Sequence, residues 1–151
     1  MLRLGRRTGR GRTFELATRP NAPAYSTDVG LRDDRIRTLL LVECWNTIGD
    51  IGAAVRSTRR KLAEAEALAV VAGAERDAYR VAGCWVVRDS RRNRELVARY
   101  PELFASTFSA SSAAWVRCLM IGDIRPPTEA GLVWCDRAAT RLFAWRRPGR
   151  L

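Results

Sequence analysis

Two apolar runs, Thr38–Trp45 (TLLLVECW) and Arg80–Arg88 (RVAGCWVVR), set the strongest limits on how this chain can fold. Neither alternates as a strand does when one face meets water, so each reads as a strand covered on both faces. Between them Ile51, Ala54, Val55, Thr58, Leu62, Ala65 and Ala69 share one helical stripe. That stripe predicts a helix from about Ile48 to Val71, closing near Gly73. A helix between two buried strands is the crossover that a parallel pair requires.

The flanking segments extend this unit. Residues 1–12 (MLRLGRRTGRGR) have no hydrophobic period and read as a flexible basic arm, touching phosphates or simply solvated. Residues 13–151 are long enough for one domain with one core. Within it, residues 13–18 suit a first strand, and Arg19, Pro20, Asn21 and Pro23 a turn. Tyr25–Leu31 suits a second strand, joined to the third by the polar connection Arg32-Asp33-Asp34-Arg35. After the fourth strand, Asp89 or Ser90 caps a helix from Arg91 to about Tyr100, ended by Pro101. Glu102–Phe108 and Ser112–Ile121 follow as helices, then Gly131–Asp136 and Arg141–Trp145 as short strands. The order β-β-β-α-β, with flanking helices and a closing hairpin, is an α/β layout on a mixed central sheet.

Composition narrows the chemistry. The chain has no histidine, which removes Ser-His-Asp triads, Cys-His dyads and imidazole-built zinc sites. Net charge is +11, and Lys61 is the only lysine among the basic residues. Such a balance attracts polyanions, nucleic acid above all, unless it records only a coding bias toward arginine. Cys44, Cys84, Cys118 and Cys135 stand far apart in apolar settings and read as small buried hydrophobes, as in a reducing cytoplasm. No run approaches the ~20 apolar residues that span a bilayer, and the N-terminus lacks the apolar core of a secretory signal.

Within the third strand one residue is out of place. Glu43 interrupts an apolar run, and a buried carboxylate is costly unless a metal, a basic partner or a solvent-filled cleft at Trp45 answers it. Glu43 and Trp45, two apart on a strand, point the same way, toward Asp28 on the strand before. Two acids so placed suit a divalent cation such as Mg²⁺. Lys61 borders the apolar stripe of the long helix, where its stem can pack while its ammonium reaches the sheet. Arg56 and Arg60 lie opposite that stripe, and Arg91, Arg92, Arg94 and Arg99 crowd the next helix. These arginines can track a nucleic-acid backbone, DNA favoured, or pair at the surface with acids such as Glu95 and Asp136. Trp115 and Trp134 read as core.

Taken together, these segments resemble the restriction-endonuclease-like, or PD-(D/E)XK, superfamily. They resemble more narrowly the C-terminal domain of actinobacterial Xre-type helix-turn-helix regulators. The likeness is carried by Ser26-Thr27-Asp28, Val42-Glu43-Cys44-Trp45, Arg60-Lys61, the run Cys84 to Arg94, and Tyr100-Pro101-Glu102-Leu103-Phe104 with Phe108. It covers roughly residues 13–147. It implies a restriction-endonuclease-like core in which Asp28 and Glu43 would hold Mg²⁺. The family's lysine two places after the second acid is here Trp45, and residues 1–12 are too short for a helix-turn-helix. Indole has no base that titrates near neutral pH, and losing one charge-stabilising group costs ~10²–10³ in rate.

The resulting expectation is a cytoplasmic, catalytically degenerate nuclease-like domain. It would act as a DNA-associated or partner-binding regulatory module, with no membrane contact. The alternative is an active Mg²⁺-dependent DNA endonuclease using Asp28 and Glu43, with Lys61 in place of the lost lysine. A basic RNA-binding protein is a third reading, on charge alone.

Overall fold

A computed structural model describes residues 12–13, 26–73, 78–121 and 124–147, without the side chains of residues 12–13, 26–28 and 72–73. The strands are β1 (Arg12–Thr13), β2 (Ser26–Asp33), β3 (Thr38–Trp45), β4 (Arg80–Arg88), β5 (Gly131–Cys135) and β6 (Leu142–Ala144). The helices are α1 (Ile51–Gly73), α2 (Arg91–Arg99), α3 (Pro101–Thr107) and α4 (Ser112–Ile121). The strands form one sheet in sequence order. β3, β4 and β5 run parallel, while β1, β2 and β6 pair antiparallel at the margins. The fold is therefore α/β on a mixed sheet, as the order of sequence patterns implies.

The pleat sorts the core into two layers. Leu40 and Val42 of β3, Cys84 and Val86 of β4, and Val133 of β5 pack with Trp115, Cys118 and Leu119 of α4. The alternate residues Trp45, Trp85, Val87, Leu132 and Trp134 pack with Ala54 and Val55 of α1, Val97 of α2 and Phe104 of α3. Helices on both faces explain why β3 and β4 carry continuous apolar runs. Trp115 and Trp134 are core, as expected. All four cysteines are free thiols. Burial, with Cys118 and Cys44 nearby, pushes the Cys84 thiol well above its ordinary range and leaves it unreactive.

Several boundaries differ from the sequence reading. The first strand expected over 13–18 is described only at Arg12–Thr13, and the rest of it lies outside the described residues. Arg12, expected to end the arm, pairs with Arg32 across the sheet, and the remainder of the arm lies outside the described residues. β2 continues to Asp33, so the turn moves to residues 34–37. The Asp33 Oδ1 accepts the backbone N–H groups of Arg35 (3.0 Å) and Ile36 (3.4 Å), an Asx turn that composition alone does not locate. α1 starts at Ile51 because Asp50 caps it, its Oδ1 accepting the Ala53 N–H at 2.9 Å. Pro101 opens α3 at its first position, where a missing N–H costs nothing. Among the described residues no helix is long and apolar enough to cross a membrane.

Candidate functional site

α1 lies over β3 and β4, and its inward stripe is not wholly apolar. Thr58 and Lys61 interrupt it, and each meets a polar group of the sheet. The Thr58 hydroxyl donates to the Ala54 carbonyl (3.1 Å) and accepts the Trp85 indole N–H (2.8 Å). Lys61 Nζ donates to Glu43 Oε2 at 3.2 Å. Glu43 is 1 % exposed and Lys61 7 %, so the ion pair is buried between sheet and helix. Of the three answers the sequence allowed for a buried Glu43, the structure supplies the basic partner.

The β2–β3 register sets Asp28 directly opposite Glu43, the position expected of a second acid. The side chain of Asp28 lies outside the described residues. Trp45, two residues after Glu43, is buried with its ring centroid 5.0 Å from that of Trp85. Its Nε1 has no hydrogen-bond partner among the described residues, an omission that costs about 1–3 kcal/mol. Trp45 is thus a packing residue facing Trp85.

A bound Mg²⁺ keeps several waters in an octahedral shell, whereas almost none of Glu43 meets solvent. Among the described residues no group of three or more cysteines or carboxylates is placed to hold a metal. Glu43 itself, buried against Lys61, offers a hydrated cation little access.

The arginines expected to meet nucleic acid divide into two sets. Arg56 and Arg92 are exposed and have no acidic partner among the described residues. Arg60 pairs with Glu64 at 2.6 Å and Arg91 with Glu95 at 2.7 Å, both as neighbours one helical turn apart. The Arg60 pair is half-buried and the Arg91 pair exposed, and solvent-accessible pairs of this kind contribute little to stability. Arg94 is more firmly held: it pairs with Asp89 and stacks 4.8 Å from the Trp134 ring centre.

A second feature escaped the sequence. At the carboxyl ends of β3 and β4, Asn46, Thr47, Arg88, Asp89, Ser90, Arg91 and Arg137 enclose a cleft of about 400 Å³. Asn93, fully buried on α2, fixes its walls. Its Nδ2 donates to the Asn46 carbonyl (3.1 Å) and the Arg88 carbonyl (2.9 Å), while its Oδ1 accepts the Ile48 N–H (3.1 Å). Only its buried position in a charged helix could have hinted at this role. Asn93→Ala is expected to destabilise the domain by about 1–3 kcal/mol, because it strands three backbone groups. The shift of its urea midpoint against the native chain measures this.

Compared with known proteins, the chain matches no family model, no curated protein and no solved structure.

Proposed function

We propose that this chain is a restriction-endonuclease-like domain that has lost cleavage and serves as a DNA-associated or partner-binding regulatory module. The observation that carries the reading is the burial of Glu43 against Lys61. Phosphodiester hydrolysis requires the reacting phosphate and a positioned water to touch the catalytic groups. Here the acid and the lysine face one another beneath α1 and hold helix to sheet. Trp45 packs against Trp85 where the motif would place a cation. The +11 charge and the exposed Arg56 and Arg92 support attraction to DNA. Sequence-independent backbone contacts of that kind weaken steeply with salt.

One observation favours an active Mg²⁺-dependent endonuclease instead. Lys61 lies within hydrogen-bond distance of Glu43, and Asp28 stands opposite Glu43 in register. All three candidate catalytic residues therefore belong to adjoining elements, with the lysine supplied by the helix.

Plasmid nicking in Mg²⁺ or Mn²⁺, beside duplex binding at several salt concentrations, separates the two. The degenerate module binds duplex DNA in a salt-sensitive way and leaves supercoiled plasmid intact. Metal-dependent nicking by the native chain that disappears in Glu43→Gln would overturn this reading in favour of the nuclease.

A further inference from the structure

We propose that the cleft at the carboxyl ends of β3 and β4 is a phosphate-binding site, with Arg88, Arg91 and Arg137 as its cationic wall. This rests in part on the DNA-associated reading, under which the phosphate belongs to a nucleic-acid backbone.

Charge is the first support. The cleft is lined by three guanidiniums and one carboxylate, Asp89. Asp89 is already engaged by Arg94, itself stacked on Trp134, and Arg91 by Glu95 in an exposed pair, so the cleft keeps a positive excess from Arg88 and Arg137. Arg88 Nη1 donates to Asn46 Oδ1 at 2.6 Å, which holds that guanidinium at the rim. Arg137, on the turn between β5 and β6, is exposed and has no acidic partner among the described residues. Arginine's planar fork of N–H donors matches the oxygens of a phosphate.

Local energetics supply the second support. α2 opens Arg91-Arg92-Asn93-Arg94, with no acid in its first turn. Cations at a helix N-terminus oppose its dipole by about 0.3–1 kcal/mol each. Ser90 caps this end, and Asp89 and Glu95 pair with Arg94 and Arg91, which offsets part of that cost. A bound oxyanion would reverse the sign of that interaction. Rigidity is the third support, since buried Asn93 ties the strand ends that form the walls and little ordering is left for binding.

The test uses the full chain in two measurements. The first is anisotropy of a fluorescent DNA duplex with native protein, the Arg91→Glu/Arg137→Glu double variant, and Arg117→Glu on the opposite helix layer as control. Arg91, Arg117 and Arg137 are all exposed, so the substitutions spare the core. The second is titration of the native protein with inorganic phosphate, followed by backbone amide and arginine side-chain resonances. The expected result is about tenfold or greater weakening in the double variant, a salt slope shallower by ~0.9 per lost phosphate contact, and an unchanged control. Phosphate should shift resonances of residues 88–91 and 137 before any others. Shifts there without duplex binding keep the site, assign it to free phosphate compounds and reject the DNA reading. Duplex binding that is equal in all three proteins, or phosphate shifts elsewhere only, overturns the site and leaves the DNA reading standing. If neither ligand binds, both fall.

Discussion

Lys61→Met should destabilise the domain by about 3–5 kcal/mol, the usual cost of breaking a buried ion pair from one side. The substitution keeps an unbranched stem in the helix stripe and removes the ammonium 3.2 Å from a carboxylate that is 1 % exposed. Glu43→Gln should cost less, because Lys61 sits at a helix border from which its flexible stem can swing toward water. In the double variant the two losses should not add, and the coupling energy measured by a double-mutant cycle gives the strength of the pair. Additive losses would show that the two groups do not depend on one another. Comparable results for denaturation and plasmid nicking bear on function as well. A pair that matters only to stability leaves DNA binding intact in whatever fraction of the variant stays folded.

Gly131→Ala is the second large effect, with an expected loss of about 3 kcal/mol or more. A Cβ built at Gly131 would lie 2.0 Å from Trp115 Cδ1 and 2.3 Å from its Nε1. The indole has nowhere easy to go, since Trp115 is fully buried and its N–H donates to the Glu129 carbonyl at 3.2 Å. Either α4 shifts off the sheet or that hydrogen bond breaks. Gly83→Ala is a useful contrast, because its Cβ would meet the Leu62 side chain at 2.8 Å, a group with rotamers to spare. A thermal or urea midpoint for Gly131→Ala close to the native value would contradict the packing described between α4 and β5.

What the sequence disclosed depended on the range of the interactions involved. β3 and β4 coincide with their apolar runs because a strand covered on both faces has no polar residues to blur its edges. Their parallel pairing follows from the intervening helix, and the neighbouring of β2 and β3 from their short connection, whereas the Asp28–Glu43 register depends on where the turn falls. The turn at residues 34–37 was misplaced by two residues, because either Asp33 or Asp34 could have made the Asx turn. Lys61 was legible as a candidate from its border position, but its choice of Glu43 depends on how far α1 rides over β3. The cleft was illegible for a related reason. Its arginines come from two segments far apart in sequence, residues 88–91 and position 137, and only the folded sheet brings them to one edge.

The tryptophan arrangement gives the protein a built-in optical gauge. All five indoles are buried, so unfolding should redden their emission together. They do not report on the same place, however. Trp45 and Trp85, 5.0 Å apart under α1, are close enough to couple electronically and to dominate the near-ultraviolet dichroism. Trp115, carried by α4, lies in the opposite layer. Dichroism lost before the emission reddens would therefore signal α1 lifting from an otherwise intact sheet, a partial opening distinct from global melting. Binding at the far edge of the sheet could be followed by the same light, through Trp134 beneath the guanidinium of Arg94.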